Sequence, residues 1–111
     1  MTIERLFMPS SRYRFDSGPC SYEKGYAQVD TSQNASYFGT WCSPSERKIV
    51  CYCEGDVTIQ VAETDEEFVS ALRKLETWNN ERGWGPMKID ALATPQIADR
   101  FVALGLADLI H

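Results

Sequence analysis

Four cysteines, Cys20, Cys42, Cys51 and Cys53, are the residues in this 111-residue chain with the widest chemical reach. Thiolates bind soft metals, attack electrophiles and form disulfides. Their spacing is not CxxC, so neither a thioredoxin-type motif nor a zinc ribbon is present. Cys51 and Cys53 alternate onto one face of a strand. With Cys42 across a turn and Cys20 as a fourth donor, they reach the number a tetrahedral zinc site requires. The strands are otherwise apolar on that face, and cysteine packs readily as a small hydrophobe. Packing is therefore the preferred reading, and no metal or other cofactor is expected. A Cys42–Cys51 disulfide between adjacent strands is conceivable, but a cytosolic chain keeps its thiols reduced.

A second constellation is Asp30 with Glu46-Arg47-Lys48. Metal-dependent nucleases place an acid on one strand and Glu-x-Lys on the next, the carboxylates holding a divalent ion and the lysine stabilising charge. Here Glu46 falls in a turn, which weakens the match. His111, the only histidine of the sequence, stands at its C-terminal end and is a poor general base. No GxSxG elbow, GxGxxG or GxxxxGK[ST] pattern occurs. Glu54 and Asp56 flank a tight turn, where Asp tolerates the backbone geometry and Glu is solvated. Arg12-Tyr13-Arg14-Phe15 mixes charge and aromatic rings, as a strand-binding surface would. Four residues are too few to outweigh the plainer reading, an edge strand guarded by charge.

Aromatic anchors are the remaining candidates. Tyr37 and Trp41 share a strand face with Gly39 between them. On a wet face they form an interface patch. On a dry one they are core beneath the helix that follows. Alternation alone does not choose. Trp84, in a Gly-Pro loop, is a third candidate binding residue.

The elements that must position these groups follow from periodicity. Arg12–Phe15 reads as a short strand before the turn Asp16-Ser17-Gly18-Pro19. Tyr26–Asp30 reads as a second strand, and Thr31–Asn34 as a polar turn. Ser36–Cys42 is an aromatic-rich strand. Lys48–Glu54 is the next, with Ile49, Cys51 and Cys53 on one face. Gly55-Asp56 signals a two-residue hairpin, after which Val57, Ile59 and Val61 alternate with Thr58 and Gln60. The grammar changes at Thr64-Asp65-Glu66-Glu67, a capping box in which Glu67 reaches back to its cap. Phe68, Ala71, Leu72, Leu75 and Trp78 follow at helical spacing, and Gly83 stops a helix of about 65–82. Thr94-Pro95 opens a second helix with Ile97, Ala98, Phe101 and Leu104 on its apolar stripe, ended by Gly105. Leu106, Leu109 and Ile110 form a last hydrophobic turn.

The sequence thus predicts one α+β domain over 1–111, an N-terminal antiparallel sheet of about four to five strands followed by two helices packed on one face. Apolar residues make up 43% and charged residues 24%, an ordinary globular balance. The net charge of −5 opposes non-specific contact with nucleic acid or anionic lipid. No run approaches the ~18 apolar residues of a membrane span, and no signal segment is read at Met1–Phe15, so the expected location is the cytoplasm. Small, acidic and free of motifs, the chain is similar in type to accessory proteins carried by phages and plasmids. The function expected is a non-enzymatic binding protein, an inhibitor or adaptor acting on a larger macromolecule. A small metal-dependent hydrolase or nuclease built on Asp30, Glu46 and Lys48, or a structural zinc domain, are the alternatives.

Overall fold

The computed structural model describes residues 3–9, 25–30, 38–53, 56–83, 86–91 and 94–110. Six strands form one sheet: β1 (Ile3–Pro9), β2 (Ala27–Asp30), β3 (Phe38–Ser43), β4 (Lys48–Cys53), β5 (Asp56–Ala62) and β6 (Lys88–Asp90). Helix α1 (Asp65–Glu81) follows β5, and α2 (Pro95–Ala103) follows β6. The strand order is β1-β5-β4-β3-β2-β6, every strand antiparallel to its neighbours. The α+β class and the number of strands before the first helix agree with the sequence reading, and β2 to β5 lie where it places strands. Two strands were not anticipated, β1 on one edge of the sheet and β6 on the other. The segments 12–15, 16–19 and 31–34 lie outside the described residues.

The β4–β5 hairpin forms with a shifted register. Cys53 pairs with Asp56, so residues 54 and 55 make the connection in place of Gly55-Asp56. The shift displaces the cross-strand partners by two residues. Because side chains alternate with period two, it leaves each one on its expected face.

Both faces of the sheet are buried. On one, Ala27, Val29, Cys42, Ile49, Ala62 and Ile89 pack with Phe68, Ala71 and Leu72 of α1 and Ile97 and Phe101 of α2. Both helices therefore cover the same side. On the other lie Tyr26, Trp41, Val50, Val57 and Ile59, a separate cluster that contains no helix residue.

Helix α1 starts as its sequence dictates: Thr64 Oγ1 accepts from the Glu67 amide at 3.2 Å. The reciprocal arm of the capping box is missing. The Glu67 side chain turns inward, the residue is 3% exposed, and its Oε2 has no hydrogen-bond partner. The buried face also differs from the apolar stripe at its C-terminal end. Asn79 is 1% exposed and Trp78 is 43% exposed. At about 100° per residue, Asn79 lies about 30° from the centre of the face set by Phe68, Ala71, Leu72 and Leu75, and Trp78 about 70°. Angular position outweighs hydrophobicity, leaving the indole on the shoulder of the helix.

The C-terminal segment is tied back onto α1. A 3-10 turn, Ala107–Leu109, buries Leu109, and Ile110 bridges Ile89. Arg73 grips Asp108 with both arms of its guanidinium, at 2.8 and 2.9 Å, and donates to the Gly105 carbonyl at 3.3 Å. Gly105 follows the C-cap with φ +78°, a conformation that favours glycine. Among the described residues no helix is long and apolar enough to cross a membrane.

Two measurements probe this packing. Phe68 is fully buried and stacks on Phe101 with ring centroids 6.5 Å apart. Phe68→Ala should cost about 3–5 kcal/mol, read from the shift of the urea unfolding midpoint. The Arg73 guanidinium hydrogen-bonded to Asp108 holds that carboxyl below the ordinary aspartate range. A depressed carboxylate pKa stabilises above the unfolded value, and the contribution is lost as pH falls through the folded one. NMR shifts of Leu106–Ile110 should stay native from neutrality to the ordinary aspartate range and move only below it. Asp108→Asn should abolish that acid transition.

Candidate functional site

The register of β2, β3 and β4 decides where the sequence-nominated acids lie. Ala27, Gln28 and Val29 pair with Cys42, Trp41 and Thr40, which puts Asp30, at the end of β2, level with Gly39. Lys48 pairs with Ser43, at the opposite end of β3. The two positions differ by four residue steps, about 13 Å along the strand, and by two strand spacings across the sheet. The fold does not bring Asp30 together with Glu46 and Lys48. In the β3–β4 connection Lys48 Nζ pairs with Glu46 at 3.8 Å. Arg47 between them has φ +53° and bonds at both ends. Its carbonyl accepts from the Ala62 amide at 2.9 Å, and its Nε donates to Asp65 at 2.9 Å. This trio fastens the turn to the start of α1.

The cysteines sit as alternation predicts. Cys42 lies opposite Ile49 and Cys51 opposite Thr40, and both pack in the cluster on the helix-covered face. Neither Cys42 nor Cys51 is in a disulfide. Their positions are diagonal, a spacing of about 7–8 Å that exceeds the reach of a disulfide without backbone movement. Cys42 is completely buried, and desolvation, with a smaller contribution from Cys51, pushes its thiol far above the ordinary range. Thr40 Oγ1 lies 3.9 Å from the Cys51 sulfur, on the donor side of a weak hydrogen bond. Among the described residues no group of three or more His, Cys, Asp or Glu side chains gathers in a metal-binding arrangement. Cys20 and His111 lie outside the described residues.

Of the aromatic anchors, Tyr37 and Trp84 also lie outside the described residues. Trp41 is buried at 6% exposure. It is core, though not beneath α1: it belongs to the cluster on the sheet face turned away from both helices, and Cys42 is the neighbour that faces α1. An indole so covered leaves little surface for a partner.

Among the described residues, the large aromatic side chain that is exposed is Trp78, at 43%. On the C-terminal half of α1, the Arg82 guanidinium lies 3.6 Å from its ring centroid, and Arg82 Nη1 donates to the Trp78 carbonyl at 3.0 Å. Ring face and carbonyl together make a seat for a planar cation. The helix terminus adds its partial negative charge, which the C-cap residue's own guanidinium meets at the Trp78 carbonyl. Lys74 lies one turn before Trp78 and Glu81 one turn after it, both exposed. The sequence carried this signal in two places, the angular offset of position 78 and an arginine four residues on.

No protein-family model, curated protein or solved structure matches the chain.

Burial separates the two described thiols. In the folded protein, iodoacetamide should leave Cys42 unmodified on the timescale that labels Cys51. Protection of Cys42 should be about a thousandfold or more, because its reaction waits on opening of the core. Site-resolved mass spectrometry checks this, and equal labelling would place Cys42 outside the core.

Proposed function

We propose that this protein is a small, non-enzymatic binding protein of the cytoplasm, an inhibitor or adaptor that docks on a larger protein. The observation that carries the reading is Trp78, a large aromatic side chain 43% exposed on a helix whose buried side is otherwise filled. Tryptophan is enriched among the residues that dominate binding energy at interfaces, since it covers a large area at small conformational cost. The net charge of −5 supports a partner with complementary basic surface and disfavours nucleic acid. That neither Cys42 nor Cys51 is in a disulfide suits a reducing compartment.

Capture from a host lysate tests this, with wild-type protein and Trp78→Ala on parallel resins. Wild type should retain a stoichiometric partner. Trp78→Ala should weaken it by at least ~2 kcal/mol, the scale of an interface hot spot. Because the side chain is on the helix shoulder, the variant should stay folded, with a urea midpoint lowered far less than that of Phe68→Ala. Equal retention by both proteins removes Trp78 from the interface, and failure of wild type to retain anything removes the binding reading.

A further inference from the structure

We infer that the outer edge of β1 pairs antiparallel with the same edge of a second copy, about a two-fold axis at Leu6, so that two sheets become one. The inference stands apart from the binding reading above and uses a different part of the fold.

The two ends of the sheet are finished differently. Beyond β6 the chain supplies its own cover, since Ile110 bridges Ile89 in parallel. β1 stands at the other end of the strand order, and among the described residues no strand pairs with its far side. An edge strand presents alternate N–H and C=O groups outward, a template for another strand. Folds blunt such an edge by shortening it, bulging it or placing proline and charge on it. β1 is seven residues long, its pairing with β5 runs unbroken from Ile3↔Ala62 to Pro9↔Asp56, and its proline stands only at the end. Its two charges, Glu4 and Arg5, are of opposite sign and off centre.

The order of residues along β1 selects a second copy. Across a two-fold axis, outward backbone groups meet outward groups only when the paired residue numbers have an even sum, which puts the axis at a residue. With the axis at Leu6 all seven residues pair: Ile3 with Pro9, Glu4 with Met8, Arg5 with Phe7, and Leu6 with its own copy. Moving the axis to Glu4 or Arg5 opposes two like charges at the centre, and moving it to Phe7 leaves Ile3 and Glu4 outside the paired strand. The register of full overlap therefore opposes no like charges. Each copy carries −5, but at physiological ionic strength that repulsion is screened beyond about 8 Å.

The test is sedimentation equilibrium of the full chain from about 1 μM to about 1 mM, the affinity range of a small interface. Wild type should pass from monomer to dimer, and a mass that stays monomeric throughout overturns the inference. Two positions then read the register. Met8 of one copy stands opposite Glu4 of the other, so Met8→Lys creates two opposite-charge pairs and Met8→Glu two like-charge pairs. Phe7 stands opposite Arg5, so there the preference reverses, with Phe7→Glu attractive and Phe7→Lys repulsive. At each position the attractive variant should dimerise at least about fourfold more tightly than the repulsive one. Net charge alone cannot produce opposite preferences at neighbouring positions. Equal affinities within each pair, or the same preference at both positions, overturn the edge pairing. The urea midpoint of each variant establishes that it is folded. If the variants at one position do not fold, those at the other decide, and the wild-type mass tests the dimer in either case.

Discussion

Side-chain alternation along β3, β4 and β5 is the constraint from which the rest of this structure follows. In a sheet with one wet face, a strand tolerates errors on that side. Here Cys42 and Ile49 pack under the helices while Trp41 and Val50, one residue away on each strand, are buried on the opposite face. A slip of one residue would exchange the two sets and set large indole and aliphatic groups against the space shaped for a cysteine and an alanine. The sheet is thus fixed in register from both sides, and the helices inherit their positions from it. Phe68 and Phe101 meet over the face where Cys42 and Ala27 leave room.

That arrangement also directs where function can reside. Side chains in the middle strands are committed to packing, including the thiol of Cys42 and the indole of Trp41. Polar groups that connect elements are committed to fastening: Arg47 joins a turn to α1, and Arg73 joins α1 to the C-terminal turn. On the outer surface of the helical layer, Trp78 and Arg82 combine an aromatic face, a carbonyl and a helix terminus within one turn.

How much of this the sequence disclosed depends on whether a local rule or a distant partner decides each element. Helix α1 was legible because its cap and apolar stripe are written within seventeen residues. The hairpin of β4 and β5 was legible in faces though not in its turn, because period two survives a two-residue shift. Strand β1 was not, since each of its faces mixes charged and apolar residues: Ile3, Arg5 and Phe7 on one, Glu4, Leu6 and Met8 on the other. Its pairing with β5 is settled some fifty residues downstream. Strand β6, at three residues, is too short to show any period and exists because β2 presents an edge to it. For the candidate site, counting apolar spacings placed Trp78 in the core, whereas the angle around the helix axis places it outside. Trp41 posed the opposite difficulty, because a two-sided core gives both faces of a strand an apolar pattern.

Strand order imposes a timetable as well as a shape. Strands β2 to β5 form a meander in which each new strand finds its partner immediately before it in the chain. β1, although made first, sits at the far edge beside β5. At ribosomal rates of 5–20 residues per second, it spends roughly 3–10 s without its partner. Throughout that interval its backbone donors and acceptors are those of an open strand edge, which leaves β1 exposed to pairing with other chains. β1 therefore waits for β5 to cover its edge, while β6, the last of the six strands made, closes the opposite end of the sheet on β2.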